Sequence, residues 1–231
     1  MAVVNGKLSP SLLAPIRFAR SFKLRSSAAR AFSALGYKYR QEFGRFPQIN
    51  SAYRTLAAQW VLWRLYGAAR AAVPGYSNHG WGLAVDIGAL GGFGTDAYEW
   101  LMTKGHHFGW WQPPLFRVNG RKPEAWHWEY RASKDKSRQV EALQRLLRKT
   151  GPKANRDYTG PVDRLWGDGV ERGLWQLVRR IRAGRATVKA AKQLQRILRA
   201  AGTYSGAIDG KFLAKSEHGL RLFRNRYYYG G

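Results

Sequence analysis

Three short runs bring together groups that could do chemistry: Ser51-Ala-Tyr-Arg54, Ser77-Asn-His79-Gly-Trp-Gly82-Leu-Ala84-Val-Asp86, and Glu124-Ala-Trp-His127. Two imidazoles and one carboxylate, His79, His127 and Asp86, are the donor set of a zinc site that keeps a fourth position open. Glu124 supplies a base for a water molecule, and Arg54 supplies fixed positive charge for a developing oxyanion. Together they predict hydrolysis of a peptide by metal-activated water, with one Zn2+ per chain. The chain has no cysteine, so thiolate zinc sites and disulfides are excluded and any metal must be held by His, Asp or Glu. It also has no His-Glu-x-x-His run, which excludes the common helical zinc-protease arrangement.

These residues need strands that aim them. A strand over 82–87 puts Leu83, Val85 and Ile87 on one face and Gly82, Ala84 and Asp86 on the other. The first face suits a core. The second offers a carboxylate beside two minimal side chains, leaving room for a metal and a substrate backbone. A strand over 126–130 likewise separates His127 and Glu129 from Trp126, Trp128 and Tyr130. Glu124 stands at the strand entrance after Pro123. A third strand is expected over 48–53. Tyr53, Ser77 and Gln59 are candidate substrate-binding residues, each also readable as structural; Gln59 faces the same way as Arg54 about one helical turn on. His106 and His107, in tandem, read as helix-end residues, and His218 fits no ligand spacing.

Helices are expected over 27–43, with Phe32, Leu35, Tyr39 and Phe43 apolar, and over 55–66, with Leu56, Trp60, Trp63 and Tyr66 inward. A third is capped by Thr95 or Asp96 and stops at Gly105. Mixed helices and strands predict an α+β catalytic domain over 1–131, followed by a short polar linker at 134–137.

The remainder, 138–231, is helical and duplicated, with repeats at about 138–180 and 188–226. Leu143-Gln-Arg-Leu-Leu-Arg148 recurs as Leu194-Gln-Arg-Ile-Leu-Arg199. Tyr158-Thr-Gly-Pro-Val-Asp163 recurs as Tyr204-Ser-Gly-Ala-Ile-Asp209, and Trp166, Leu174 and Leu177 answer to Phe212, Leu220 and Phe223. Each copy is a helix, a turn and a second helix, either a binding element or duplicated core packing. The first copy carries a five-residue insertion around 152–156 and has Arg164 where the second has Gly210.

The 231 residues are 45% apolar with ten Trp, enough for a sizeable core and against a disordered chain. Forty Lys plus Arg against 14 Asp plus Glu give a formal charge of +26. Such an excess draws the chain to anionic surfaces. Residues 1–131 hold 17 basic against 6 acidic residues and 132–231 hold 23 against 8, so both halves share it. No nucleic-acid-binding motif accompanies the charge, and no stable nucleic-acid partner is expected. No stretch approaches the roughly 20 apolar residues of a membrane span. The N-terminus lacks an apolar signal-peptide core, so synthesis in a host cytoplasm is expected.

The pattern Ser-x-His-x-x-Gly-x-Ala-x-Asp followed by Glu-x-Trp-His resembles the D-alanyl-D-alanine carboxypeptidase and L-alanyl-D-glutamate endopeptidase group of zinc peptidases over residues 25–131. The resemblance implies an antiparallel sheet with flanking helices, shared with hedgehog signalling domains. It also implies His79, Asp86 and His127 as zinc ligands, Glu124 as base and Arg54 as oxyanion partner. The tail is similar to the helical peptidoglycan-binding domain. That likeness implies wall contact near Tyr158, Asp163, Tyr204 and Asp209, with bacterial peptidoglycan and anionic wall polymers as partners. A zinc peptidase joined to such a tail resembles a bacteriophage endolysin, reaching the wall through a holin-type lesion.

Overall fold

The computed structural model describes residues 3–151 and 156–228, so most of the expected insertion at 152–156 lies outside the described residues. The chain divides into two compact units, Met1–Asp135 and Lys136–Gly231.

The first unit is α+β. A small antiparallel hairpin, β1 (Leu13–Ile16) and β2 (Ala19–Arg25), leads into α1 (Ser26–Phe43). The alanine-rich face of α1 is buried together with Phe32, Leu35 and Tyr39, and the helix ends on Gly44 in the left-handed region. Then follow β3 (Gln48–Ser51), α2 (Leu56–Arg70), β4 (Ala84–Gly88), α3 (Asp96–Lys104), β5 (Phe108–Trp111) and β6 (His127–Asp135). Four strands form one antiparallel sheet in the order β3-β4-β6-β5.

Val85, Ile87, Trp128 and Tyr130 fill the core side of the central strands, all nearly inaccessible. Phe32 of α1 meets Trp110 of β5 edge-on at 4.9 Å, and Tyr98 of α3 meets Trp128 at 5.9 Å. Each such side chain contributes about 1.5–3 kcal/mol when fully buried. That core fixes the sheet whose opposite face carries Asp86, His127 and Glu129.

Several expectations need correction. Strand β4 begins at Ala84, because Gly82 has φ +63° and lies in the preceding turn. Its carbonyl accepts a hydrogen bond from the Arg25 N–H, and a Cβ there would lie 2.8 Å from that nitrogen. The missing side chain at Gly82 therefore admits the end of β2, not a substrate. Trp126 precedes β6 and is 48% exposed. In α2, Thr55 is the N-cap, and the helix runs to Arg70 with a break at Gly67. Gln59 is the residue that α2 buries, held by its bonds to Arg54 and the Ala72 carbonyl, and Leu56 and Trp63 share its face half-buried. Trp60 and Tyr66 are not buried: they are 46% and 51% exposed.

The second unit consists of α4 (Arg138–Leu147), α5 (Asp168–Arg182), α6 (Val188–Ala200) and α7 (Ala214–Tyr227). Its two halves repeat their polar contacts as well as their core. Gln144 Nε2 donates to Asp163 and to the Leu165 carbonyl, as Gln195 Nε2 donates to Asp209 and to the Lys211 carbonyl. The paired core residues Trp166 and Phe212, Leu174 and Leu220, and Leu177 and Phe223 are all buried. Gly173 and Gly219 recur where a turn carbonyl crosses the second helix of each half, Asp157 O in one and Thr203 O in the other; a Cβ would lie 2.2 and 2.7 Å from them. Among the described residues, no helix is long and apolar enough to cross a membrane.

Candidate metal centre

Ser51, Asp86 and His127 form a row across three strands: Ser51 is registered with Asp86 between β3 and β4, and Asp86 with His127 between β4 and β6. The loop after α2 returns His79 to the same place. Its turn is closed by the Gly80 N–H donating to the Ser77 carbonyl and tied down by Asn5 Nδ2 on that same carbonyl. One ligand atom each from His79, Asp86 and His127 lies within 4.8 Å of the others. Asp86 Oδ1 is 3.2 Å from His79 Nε2 and 3.0 Å from His127 Nδ1.

Both imidazoles are oriented from behind. His79 Nδ1 meets the Ala52 carbonyl at 2.7 Å, which makes Nδ1 the protonated nitrogen and leaves Nε2 a lone pair. His127 turns Nδ1 toward Asp86 and Nε2 toward Glu129, 3.3 Å away. A carbonyl or carboxylate behind a ligating histidine is the usual means of fixing its tautomer. Phe116 lies against the His127 ring, with centroids 4.2 Å apart.

The electrostatics favour a cation. Burial alone would raise Asp86, but hydrogen bonds from His127 and His79 outweigh it and hold the carboxyl well below the usual range. Burial alone would lower His127, yet Asp86 and Glu129 push it up to about 9. Burial also raises Glu129, but His127 and Asn78 bring it down overall. Glu124 is raised, by burial first and by Asp86. A metal ion would take the place of any proton on its ligating nitrogens; Asp86, Glu124 and Glu129 against Arg54 then leave a formal charge of −2, which a divalent ion balances. The donor set is N, N and O with two buried imidazoles and a half-buried carboxylate, and it fits zinc by ligand type.

Arg54 reaches the centre from the turn before α2. Its Nη2 donates to Ser51 Oγ at 2.9 Å and lies 3.7 Å from Asp86 Oδ2, while Nη1 donates to Gln59 Oε1 at 2.9 Å. Glu124 is held through its backbone: its N–H donates to the Phe116 carbonyl, and its carbonyl accepts from the His127 N–H and from Gln112 Nε2. Its carboxylate makes no hydrogen bond among the described residues.

Ser77 is buried and accepts the His79 N–H; Tyr53 Oη accepts the Leu8 N–H. Gln59 lies behind Arg54. His106 and His107 lie against each other with tilted rings, centroids 3.9 Å apart, and stand outside the metal group. In the tail, the Tyr158 and Tyr204 hydroxyls donate to the Pro161 and Ala207 carbonyls, and Asp163 and Asp209 accept the glutamine bonds described above. All four hold their own turns. Sequence reasoning did not assign roles to Glu129, Phe116 or the Ala52 carbonyl. The shared parity of His127 and Glu129 was the available signal for the first.

Residues 21–133 match the family model VanY, D-alanyl-D-alanine carboxypeptidase. A curated D-alanyl-D-alanine carboxypeptidase of Enterococcus faecalis is 33% identical over 109 residues, covering 38% of this chain. The chain spans 41% of that relative's length. Similar solved structures include the vancomycin-resistance D,D-pentapeptidase VanY in complex with Zn(II), at 25% identity over 56% of this chain and 86% of that one, with TM-score 0.41. The LdcB LD-carboxypeptidase is 24% identical over 56% and 75%, with TM-score 0.41. DacB from Streptococcus pneumoniae D39 is 24% identical over 58% and 77%, with TM-score 0.38.

Proposed function

We propose that this protein is a peptidoglycan hydrolase that cleaves a stem-peptide bond by attack of water at a zinc centre, with one Zn2+ held by His79, Asp86 and His127. The observation that carries this reading is the His-Asp-His group, closed to within 4.8 Å, with an orienting acceptor behind each imidazole. When bound, zinc would acidify a water molecule and polarise the scissile carbonyl.

The chain's own residues do the rest. Glu124, with its backbone pinned and its carboxylate unengaged, takes the proton from the attacking water. A C–O bond forms and the C–N bond breaks, and Glu124 returns the proton to the leaving amine. Arg54, braced by Gln59 and Ser51, offers fixed charge to the developing oxyanion. Tyr53 and Ser77 are proposed to shape the substrate side of the loop.

The duplicated tail would hold the enzyme at the wall, with Tyr158, Asp163, Tyr204 and Asp209 organising the turns that meet peptidoglycan. The charge of +26 would draw it to anionic wall polymers. A peptidase unit joined to such a tail favours an endolysin, released from a host cytoplasm through a holin-type lesion. The match of residues 21–133 favours a second reading of specificity, removal of the terminal D-Ala from wall precursors. Digestion of purified peptidoglycan followed by mass spectrometry separates the two: internal cleavage frees new amino termini within stem peptides, whereas the carboxypeptidase releases only D-Ala. Absence of any product, or full activity after chelation, would sink both.

A further inference from the structure

The feature of the first unit that the proposed function leaves unused is the outer face of α2. At about 100° per residue, Val61 and Leu65 lie at the centre of its outer arc and Arg64 and then Trp60 on one flank, while Tyr66, seven residues on from Gln59, lies on the Gln59 side. Val61 is 55% exposed, Leu65 67%, and Trp60 and Tyr66 about half. The segment that follows adds Tyr76, 81% exposed. A helix that leaves Val61 and Leu65 in solvent beside an exposed Trp60 presents an apolar face for a partner.

We propose that the outer face of α2 docks on an anionic lipid bilayer, lying in the interface plane. Three observations select this occupant. The face carries aliphatic side chains flanked by Trp60, and the following segment adds Tyr76; Trp and Tyr are the residue types that settle at the boundary between acyl chains and headgroups. The charged side chain on its flank, Arg64, is basic, and no Asp or Glu occurs between Glu42 and Asp86 in the sequence. Its exposed side chains include no uncharged hydrogen-bonding amide or carboxylate to read sugar hydroxyls, since Gln59 is buried and internally bonded. A second copy of the chain fits less well, because two bodies each carrying +26 repel. The inference does not depend on the peptidase reading.

The test is flotation of the full chain with vesicles of phosphatidylglycerol and phosphatidylcholine, and with phosphatidylcholine alone, at fixed salt. The protein is expected to float with the anionic vesicles. The pair Val61→Glu with Leu65→Glu should weaken binding about tenfold or more, because it removes two apolar side chains that the bilayer would bury and adds negative charge. The pair Val188→Glu with Leu213→Glu adds the same charge at positions 61% and 66% exposed in the second unit and should bind as the parent does. Equal loss in both pairs would mean general adsorption of a cationic chain, and an unchanged α2 pair would mean no docking; either overturns the proposal. So would an α2 pair that alters only self-association in sedimentation velocity, or only retention on purified peptidoglycan. Val61→Ser with Leu65→Ser removes the apolar contact without new charge and should weaken binding in the same direction. Circular dichroism melts confirm that each pair is folded.

Discussion

Asp86 and His127 stand directly opposite each other on antiparallel β4 and β6, and the carboxylate oxygen of one lies 3.0 Å from the ring nitrogen of the other. Cross-strand registry thus sets the distance between two of the three candidate ligands, and the sheet core behind them keeps it. The third, His79, is delivered by a loop and must be pinned separately, through Ala52, Ser77 and Asn5.

This division predicts how metal binding fails. The parent protein should take up about one zinc ion per chain. Asp86→Asn and His127→Ala should abolish uptake in isothermal titration while the sheet melts cooperatively, since neither side chain belongs to the core face. Zinc at 100 times its dissociation constant should stabilise the parent by about 2.7 kcal/mol in thermal unfolding, and chelation should remove the gain. Zinc that stabilised Asp86→Asn equally would place the metal elsewhere.

Glu129 and Glu124 lie on either side of His127 in sequence, and their variants should separate orientation from catalysis. Glu129→Gln leaves His127 Nε2 without its carboxylate and should weaken zinc affinity about 10–100-fold. Glu124→Gln touches no ligand and should bind zinc as the parent does while losing about 10²–10⁴-fold in kcat. A Glu124→Gln enzyme with undiminished turnover would remove it from the role of base.

Gln59 should act on Arg54. Gln59→Leu deletes the acceptor of Arg54 Nη1 and the donor to the Ala72 carbonyl at a site 3% exposed. Stability should fall by about 1–3 kcal/mol. Zinc affinity should hold while kcat falls, because the guanidinium loses one of its two side-chain braces. Kinetics and metal titration on the same preparation check both halves. A loss confined to zinc affinity would contradict the assignment.

How much of this was legible beforehand follows physical lines. Types and spacing marked Arg54, His79, Asp86, Glu124 and His127, and alternation placed Asp86 and His127 opposite apolar faces, because a strand's period of two is written in its sequence. Strand β5 was not legible: Gly109 at φ +77° sits in a register shift that looks like a break in a linear reading. Strands β1 and β2 hide for a related reason, a Pro and a shift at Pro15 and Ile16. Helix α2 is legible in part: Leu56 and Trp63 share the half-covered face of Gln59, as periodicity expects, but the fully buried place on that face goes to a glutamine bonded to Arg54 and the Ala72 carbonyl, and Trp60 stands off it in solvent.

Arg164 offers a test in the tail. It occupies the turn position held by Gly210 in the second repeat, and both have left-handed backbones, φ +70° and +81°. Arg164 is nevertheless buried, and its Nε donates to Glu141 Oε2 at 3.0 Å. The first repeat therefore sets a backbone penalty of about 1 kcal/mol or more against an ion pair that the second repeat lacks. Arg164→Ala keeps the penalty, loses the pair and should destabilise by about 2–4 kcal/mol. Arg164→Gly loses the pair but relieves the backbone, and should fall short of the alanine variant by about 1 kcal/mol. Urea unfolding of the two variants beside the parent measures the difference. Equal losses would mean that the positive φ carries no penalty at this turn.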